Sequence, residues 1–553
     1  MSDKTGITFG NSRLARLKPI LVFFVLSIIT VVCETVVKTN TFNLRSIEGK
    51  WIAVIKTILY LVFFLIISKG LDAGVAKAGL SRKKAYFNPG RRDFLKCFFV
   101  LLFVYCIYLL IFYPGVCNYD TVNGILDLTT GTKPLPFSWI KGQVEISVLL
   151  NDHHPIFDTL IFTSFYRIGE NLGNLNFGIF LFLLLQSAFS AGLFSYSLFS
   201  MGKWVKKPYY YQKLGFIYFS CMPFIGLYVI NMVKDSLYSL VFVAYYVCYI
   251  MIIKEGITRK RLWMIIFMSV LQALTKKTGV YLVVISDLSL LFLPEIRRNF
   301  RYLADVILAV MIPVLIIFVL FSRVLFPLMN IYPGGKQEVF YICFQQTARV
   351  VLEHGADLSE DEKTAIANVI DYTGIKDNYT VEATDGIKDT YNFYATDKEI
   401  KEFIKVWIRL GLKYPKEYLK ALIGVNGGYF SPVSSVNVYK KIANNKLDIY
   451  NPDRSMPVRN IVLEIYEWLK TLPLVEVLFY IVLYSWWIPF FVFVKLSRER
   501  RFRNMLCMIP ILVSVLILII CPITTSRYVV PQLFTIPVVL SLLGEDKEII
   551  YER

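Results

Sequence analysis

The chain has 553 residues, of which 56% are hydrophobic and 16% aromatic, and its 60 Lys and Arg against 41 Asp and Glu give a formal net charge of +19. A soluble fold has no interior for that much apolar surface, and repeated apolar runs of roughly 18 to 22 residues predict a polytopic membrane protein. The basic residues cluster between these runs, as the positive-inside rule describes, so we expect membrane lipids and no nucleic acid as partners.

Taken in chain order, the apolar runs predict about twelve transmembrane helices. The predicted spans are 19–37, 51–68, 93–113, 178–200, 213–231, 237–253, 262–275, 279–294, 303–326, 474–495, 503–521 and 528–543. Strongly basic segments lie at every second junction, including residues 69–92 and 495–503. Placing all of them in the cytoplasm leaves both termini inside, provided that the short run 155–168 forms a juxtamembrane helix and does not cross.

The same arrangement predicts four parts of the chain. They are two N-terminal spans with basic cytoplasmic loops (1–92), a membrane core with an external loop at 114–177 (93–326), an extracytoplasmic, mostly helical soluble domain (327–473), and three C-terminal spans with a cytoplasmic tail (474–553). In the soluble domain, charged and apolar residues alternate at helical spacing, which distinguishes it from the spans.

The external loop carries the densest group of chemically active side chains, in YPGVCNYDTVNG and LNDHHPIFDTL. Asp120 is a candidate general base, with helix capping as the alternative. Asp152 has either a chemical role or a capping role for the helix beginning at Pro155. His153 and His154 lack the HxxxH or HxH spacing of strong metal sites, so we expect them to hydrogen-bond a phosphate or a sugar hydroxyl. No metal ligand is assigned, and a divalent metal is left open as a cofactor.

Several isolated cations in the other external segments run against the positive-inside bias. They are Lys234 beside Asp235, Lys276, Lys277, Arg323 and Arg527 beside Tyr528. Such cations can hold an anionic headgroup, such as a polyprenyl phosphate, or can extend to ordinary lipid phosphates. Tyr528 is a candidate for stacking on a sugar or isoprenoid.

The soluble domain contributes a second set of predicted binding residues. Gln345, Gln346, Arg349 and Tyr429 are expected to help bind the acceptor or close over the site, the alternative for the two glutamines being a polar helix face. Sequence signatures of nucleotide-binding loops, nucleophile elbows and zinc helices do not occur. An enzyme with an external site therefore needs a donor that is already activated and membrane-borne, such as a polyprenyl-phosphate sugar.

This order of features resembles the GT-C superfamily of integral-membrane glycosyltransferases. The matching stretches include CNYDTVNGI, NDHHPIFDTLIF, NMVKDSLYS, LTKKTGVYL and SRYVVPQL, and they are also similar to an uncharacterised Gram-positive group of GT-C-like membrane proteins. Asp120 matches the acidic position of the GT-C catalytic loop, and His154-Pro155 with the helix to Arg167 matches its juxtamembrane element. Two extra N-terminal spans, Ile156 in place of a second proline, and the lack of a DD or ED pair depart from the pattern.

The resemblance implies an all-α, GT-C-like glycosyltransferase of the cell membrane, inverting or retaining, with an extracytoplasmic active site. It would move a sugar from a polyprenyl-phosphate donor to a cell-wall polysaccharide, teichoic acid or glycolipid acceptor. The alternatives are a transporter or flippase, or a polymerase, for lipid-linked surface polysaccharide. A transporter predicts repeats and ionisable residues at the membrane midplane, whereas Asp287 and Asp305 are expected near cytoplasmic helix ends.

Overall fold

The computed structural model describes residues 11–42, 47–129, 133–134, 147–148, 150–152, 154–332, 335–442 and 447–546. These parts of the chain are mostly helical, and their strands are two residues long. His153, predicted as a binding residue, lies outside the described residues.

Three long helices begin the described chain. They are α1 (Asn11–Thr39), α2 (Ile47–Gly79) and α3 (Arg91–Ile111). The first two pack against each other around Glu34, whose carboxylate accepts hydrogen bonds from Lys38 at 2.8 Å, Lys56 at 2.9 Å and the Tyr60 hydroxyl at 3.1 Å. A buried carboxylate in a helix pair needs such partners, because desolvation otherwise disfavours its charge.

The loop after α3 folds into short elements before the chain returns to a long helix. These are β1 (Val116–Cys117), α4 (Tyr119–Thr129), β2 (Lys133–Pro134), β3 (Ser147–Val148), β4 (Leu150–Asn151), α5 (Ile156–Asn171) and α6 (Leu175–Trp204). The sequence predicted a helix from Pro155, and α5 begins at the next residue. It packs closely on α6, since a Cβ atom at Gly178 would lie 2.3 Å from the carbonyl oxygen of Phe165.

The middle of the membrane core contains eight more helices and two strands. They are α7 (Tyr209–Cys221), α8 (Pro223–Val229), β5 (Asn231–Met232), α9 (Lys234–Lys254), α10 (Arg259–Thr275), α11 (Gly279–Ser289), α12 (Pro294–Arg297), α13 (Phe300–Leu315), α14 (Phe326–Leu328) and β6 (Ile331–Tyr332). Almost all of α9 is buried, so the other helices surround it. The parallel pair β1–β5 aligns Val116 with Asn231 and Cys117 with Met232. This pairing fixes the loop after α3 against the start of α9.

A module of amphipathic helices follows, with its own hydrophobic core. Its helices are α15 (Gln337–His354), α16 (Glu360–Ala367), α17 (Ile375–Asn378), α18 (Asp385–Lys388), α19 (Asp397–Lys413) and α20 (Pro415–Asn426). Phe344, Ile366 and Phe403 lie in that core. Capping boxes at Ser359 and Thr396 begin α16 and α19. We call residues 335–442 the helical module.

Apolar helices follow the helical module, and segments of 3-10 or π geometry interrupt several of them. The remaining α-helices are α21 (Met456–Leu469), α22 (Ile488–Arg498), α23 (Phe502–Cys507), α24 (Ile509–Leu518) and α25 (Val530–Ser541). Segments of 3-10 or π geometry occur at Leu290–Phe292, Ile316–Leu325, Gly355–Asp357, Gly427–Tyr429, Asp453–Ser455, Glu476–Phe479, Leu483–Trp487 and Ser526–Val529. The strands β4 and β6 pair in parallel, whereas β2 and β3 pair antiparallel.

Helical segments occur at each predicted span, but they differ in length. Within the described ranges, six helices are long and apolar enough to cross a membrane: Ile20–Thr39, Glu48–Gly79, Arg91–Ile111, Leu175–Trp204, Lys234–Lys254 and Phe300–Leu328. The other predicted spans are shorter or interrupted. The run 213–231, for example, divides at Pro223, which lacks a backbone N–H to continue α7. The predicted mostly helical fold, with helices long and apolar enough to cross a membrane, is confirmed, while the number of twelve spans stays a prediction.

The bundle of apolar helices has two distinguishable ends. At one end, which we call the basic end, segments from distant parts of the chain meet. Lys254 pairs with Asp546 at 2.5 Å and Lys495 pairs with Asp72 at 2.6 Å. The helical module packs on the other end, which we call the module end, and Thr384 N donates to the carbonyl of Pro522 there at 2.9 Å.

Candidate functional site

Asp120 lies at the centre of a charged group at the module end. Its Oδ2 accepts a 2.9 Å hydrogen bond from Arg527 Nη1 and lies 3.3 Å from Lys234 Nζ, and its Oδ1 lies 3.8 Å from His154 Nε2. Lys234 Nζ is also 2.7 Å from His154 Nδ1. Four separate segments therefore supply one compact constellation.

Local structure explains why Asp120 points to these partners. Asn118 caps α4, because its Oδ1 accepts a hydrogen bond from Thr121 N at 3.0 Å. The Thr121 hydroxyl donates to the carbonyl of Met232 at 2.7 Å, which ties the start of α4 to the β5 strand just before Lys234. The capping alternative for Asp120 is thus filled by its neighbour, and the Asp120 carboxylate is turned to the cations.

Asp152 has a second ion pair beside this centre. Its Oδ2 lies 2.8 Å from Lys277 Nζ, which also contacts the backbone carbonyl of Asp152. No side chain caps α5, whose N-cap residue is Pro155. The capping role considered for Asp152 is therefore not seen, and the residue instead fixes Lys277 at the edge of the site.

Asp235 contacts two cations of the site, Lys276 and Arg527. It is fully buried, and its Oδ1 accepts a 2.8 Å hydrogen bond from Lys276 Nζ while its Oδ2 lies 3.8 Å from Arg527 Nε. Buried charges of this kind persist when each has an opposite partner. Asp235 thus orients two of the cations that the sequence placed on separate loops.

Tyr528 and Tyr238 add aromatic faces to the same cations. Lys276 Nζ lies 4.5 Å from the centre of the Tyr528 ring and 5.0 Å from that of Tyr238. The Arg527 guanidinium is 5.1 Å from the Tyr528 ring centre and donates from Nη2 to its hydroxyl at 3.2 Å. These cation–π contacts hold the cationic groups at fixed positions. We call Lys234, Lys276, Lys277 and Arg527 the cation cluster.

The electrostatic surroundings shift the pKa values of Asp120 and Asp152 in opposite directions. Burial disfavours the charged form of Asp120, but Lys234, His154 and Arg527 outweigh it and hold the pKa of Asp120 far below its usual range. Burial raises the pKa of Asp152, although Lys277 opposes this. Asp120 is therefore ionised and only weakly basic in this arrangement.

Asp158 is a neighbouring carboxyl group that sequence reasoning missed. It is 2% exposed in the first turn of α5, and neither side-chain oxygen has a hydrogen-bond partner within the described residues. Burial raises its pKa well above the usual value, with Lys234, Asp235 and Lys276 as its charged neighbours. Burial thus favours the neutral form of the Asp158 carboxyl. The signal was present, since a carboxylate inside the apolar stretch IFDTLIF requires an explanation.

A cavity of about 1030 Å³, a volume that includes its open mouth, begins at the cation cluster. Lys234, Lys276 and Lys277 line one side, and Ile517, Leu518 and other apolar residues of α24 and the following loop line the other. The helical module closes it with Glu338 and Tyr341, whose hydroxyl bonds to the carbonyl of Ile520. Neither residue was predicted, because its position depends on how the module docks. The cavity can hold an anionic group with an attached apolar chain.

The predicted residues of the soluble domain make their contacts elsewhere. Gln345 Nε2 donates to the carbonyl of Thr380 at 2.6 Å, Trp407 Nε1 donates to Gln346 Oε1 at 3.0 Å, and Arg349 pairs with Glu417 at 3.3 Å. Both glutamines are buried, so they form no exposed polar face. These contacts stabilise the helical module and do not join the cation cluster. A role in acceptor binding stays a prediction.

Tyr429 contacts the loop that carries Arg527. Its hydroxyl donates to the carbonyl of Ile523 at 2.9 Å and accepts from Thr525 N at 3.0 Å. Arg323, the remaining cation considered, is exposed in the π segment Ile316–Leu325 and does not line the cavity.

The described residues contain no group of three or more His, Cys, Asp or Glu side chains that could hold a metal ion. Asp120, Asp152 and Asp235 each face Lys or Arg instead. The negative charge of a ligand at this site would therefore meet protein cations directly.

Comparisons with known proteins give one match. A family model described as "Family of unknown function (DUF6020)" matches residues 145–549, which include the cation cluster, α5 and the helical module. No curated protein and no solved structure matches the chain. The matched region covers most of the sequence, and the chain therefore belongs to the DUF6020 family.

Proposed function

We propose that this chain is a membrane glycosyltransferase that moves a sugar from a polyprenyl-phosphate donor to a cell-envelope acceptor at the outer face of the membrane. The observation that carries the proposal is the position of Asp120. Its carboxylate lies among Arg527, Lys234 and His154, next to a cavity with cations on one side and apolar helices on the other.

The donor phosphate would bind at the cation cluster. Lys276 and Lys277 line the cavity, and Arg527 lies within reach of both Asp120 and Asp235. A guanidinium and ammonium groups are the side chains that bind phosphate oxygens best. The isoprenoid tail would lie along the apolar wall formed by α24, and the ring of Tyr528 offers a stacking surface for the sugar or for the first isoprene unit.

The chemical step assigns Asp120 as the general base. In the free protein the surrounding cations hold its pKa low. A donor phosphate would share Lys234 and Arg527, weaken their hold on the carboxylate and raise the pKa of Asp120. Asp120 would then take the proton of an acceptor hydroxyl as that oxygen bonds to the sugar anomeric carbon. The bond from this carbon to the phosphate oxygen breaks, and the cations stabilise the departing phosphate.

The remaining residues would bind the substrate or position the cations. His154 lies between Asp120 and Lys234 and can hydrogen-bond a phosphate or sugar hydroxyl through one ring nitrogen. Asp152 and Asp235 orient Lys277 and Lys276. The four cations of the cluster pair with three carboxylates, those of Asp120, Asp152 and Asp235, and this excess of positive charge favours an anionic ligand.

A membrane orientation accompanies the proposal. Twelve crossings with both termini in the cytoplasm would put the module end outside. The meeting of basic segments at the opposite end, as in the pair Lys254–Asp546, supports a shared cytoplasmic side for them. The external module would then face a cell-wall polysaccharide, teichoic acid or glycolipid acceptor.

A second candidate is a transporter or flippase for lipid-linked polysaccharide, and one observation favours it. The Asp287 carboxyl is completely buried among apolar helices, where Tyr245 and Ser269 donate hydrogen bonds of 2.8 Å and 2.7 Å. Within the described ranges, no cation pairs with it. Ionisable groups at such positions occur along transport pathways.

The discriminating experiment is mass analysis of cell-envelope glycans from a deletion strain complemented with the wild-type chain, Asp120→Asn or Asp287→Asn. If the chain is a transferase, the deletion strain should lack a glycan substituent. The wild-type chain should restore this substituent, and Asp120→Asn should not. An unchanged glycan profile in the deletion strain would overturn the transferase assignment. Restoration by Asp120→Asn together with loss in Asp287→Asn would favour the transporter.

A further inference from the structure

A groove follows one face of α2, away from the cation cluster. Three cavities, of about 810, 470 and 890 Å³ including their open mouths, succeed one another along this helix. The first and second share Phe63, Val477 and Trp487 as lining residues, and the second and third share Leu71 and Leu540. None of their lining residues lines the cavity at the cation cluster.

The side of α2 that borders these cavities is one continuous stripe. Its members recur at intervals of three or four residues, which places them on a single helix face. They are Lys56, Tyr60, Phe63, Ile67, Leu71 and Val75. Ala78, at the far end of the third cavity, follows Lys56 by 22 residues, which corresponds to about 33 Å of helix.

The length of the groove distinguishes between two classes of lipid, those with short acyl chains and those with one long chain. The hydrocarbon core of a bilayer is about 30 Å thick, so the acyl chain of one leaflet reaches only about half of it. A groove that extends over the whole thickness matches one long chain that crosses the midplane. Polyisoprenoid chains belong to this class.

One end of the groove is polar and includes the cation Lys56, and the Tyr480 hydroxyl there donates to Glu476 at 3.2 Å. Glu34 and Lys56 line the first cavity, and Lys38 also pairs with Glu34, so that two cations face one carboxylate. The rest of the groove is lined by apolar and aromatic side chains, such as Trp487 and Phe491. An anionic headgroup at the Lys56 end with an apolar tail beyond it complements this distribution.

Two glycines keep the groove open. Gly70 and Gly74 line the third cavity, and a Cβ atom added at either would meet nothing within 4 Å. Glycine is among the least favourable residues in a helix interior, so helix propensity does not account for these two residues. Since no neighbour approaches these two glycines, the space above them is available to a ligand.

We propose that this groove binds one polyisoprenoid lipid with an anionic, phosphate-like headgroup at Lys56, as a lipid site separate from the cation cluster. The site uses the two N-terminal helices, which lie before the region matched by the family model. It does not depend on glycosyl transfer.

The test counts lipids on the purified full-length chain by native mass spectrometry after addition of a long-chain polyprenyl monophosphate. Gly70→Leu with Gly74→Leu fills the open space, and the expected result is the loss of one bound polyprenyl phosphate relative to wild type. Gly79→Leu is the matched control, because Gly79 also has nothing within 4 Å and does not line the groove. The control should keep the wild-type number.

The two lipid sites are separated by combining variants. Arg527→Gln should remove a lipid from the cation cluster and leave the groove occupied, so the effect of the glycine variants should persist in that background. Should the glycine pair prevent expression, Gly74→Leu alone is the replacement. An unchanged lipid count in the glycine variants, or ordinary phospholipids in place of the polyprenyl phosphate, would overturn the groove assignment while leaving the proposed function intact.

Discussion

Arg527 and Asp120 are 407 positions apart in the sequence and form a direct 2.9 Å hydrogen-bonded ion pair. Arg527 precedes α25, whereas Asp120 lies in the first turn of α4. The pair thus joins the C-terminal helices to the loop after α3 at the module end. Both residues are only partly exposed, so salt screens the pair less than a surface salt bridge, and the pair is accessible to a ligand.

Asp120→Asn should abolish transfer without weakening donor binding. The amide cannot accept a proton from the acceptor, and loss of a general base typically lowers the rate by about 10² to 10⁴-fold. The substitution also removes one negative charge from the cation cluster, so binding of a polyprenyl phosphate should be equal or tighter. Transfer assays and lipid titrations on the same preparation check both parts. Transfer at the wild-type rate would remove Asp120 from the mechanism.

Arg527→Gln and Lys276→Gln should each weaken donor binding. Each loses a charge-assisted contact with phosphate, worth about 1.5 to 3 kcal/mol, or roughly 10 to 150-fold in affinity. Arg323→Gln is the control, because Arg323 is exposed and lies outside the cavity. Binding of a long-chain polyprenyl monophosphate can be measured in nanodiscs. Equal losses in all three variants would indicate a general attraction to anionic lipid and no specific site.

Asp158→Asn should stabilise the fold more at alkaline than at acid pH. Burial raises the pKa of Asp158 in the folded protein above its unfolded value of about 3.9. The proton bound to Asp158 therefore adds to the free energy of unfolding, and this contribution is fully present below a pH of about 3.9. As the pH rises, ionisation of the unfolded state alone removes about 1.4 kcal/mol per pH unit until the folded pKa is reached. Asparagine does not titrate.

The difference in melting temperature between wild type and Asp158→Asn isolates this contribution, because other titrating groups cancel. The melting temperature of Asp158→Asn should rise relative to that of the wild type between pH 5 and pH 8. A difference independent of pH would show that Asp158 is ionised in the folded protein.

Tyr429→Phe should reduce activity by loosening the loop that carries Arg527. The Tyr429 hydroxyl bonds to Ile523 and Thr525 backbone groups, and leaving them unpaired should cost about 1 to 3 kcal/mol. Tyr466→Phe is matched to it, since that buried hydroxyl bonds to the carbonyl of Val436. Melting temperatures should fall in both variants, and donor affinity should fall only in Tyr429→Phe. Equal affinity in the two would assign Tyr429 to stability alone.

Much of the helical framework was predictable because apolar periodicity is a local signal. The helix after Pro155 and the helices at the predicted spans follow from it. The interruptions were harder, since the π segment Ile316–Leu325 depends on packing along the whole helix. The number of spans stays a prediction, because helices such as α10 are shorter than the six described helices that are long and apolar enough to cross a membrane.

Several members of the candidate site were predictable, but their pairing was not. Lys234, Lys276, Lys277 and Arg527 were found because cations on short external loops are unusual. Their pairing with Asp120, Asp152 and Asp235 is tertiary and leaves no trace in local sequence. Gln345 and Gln346 looked available in sequence, but both side chains are used inside the helical module. Gln346 bonds to α19 and α20, and Gln345 donates to the carbonyl of Thr380.

The most direct measurement is a cryo-electron microscopy structure of the full chain in nanodiscs with a polyprenyl-phosphate sugar. The phosphate is predicted within hydrogen-bond distance of Arg527 and Lys276, with the anomeric carbon facing Asp120 and the isoprenoid along α24. The Arg527–Asp120 distance should lengthen from 2.9 Å as the phosphate takes over the guanidinium. A donor bound away from the cation cluster, with the Arg527–Asp120 pair unchanged, would contradict the account.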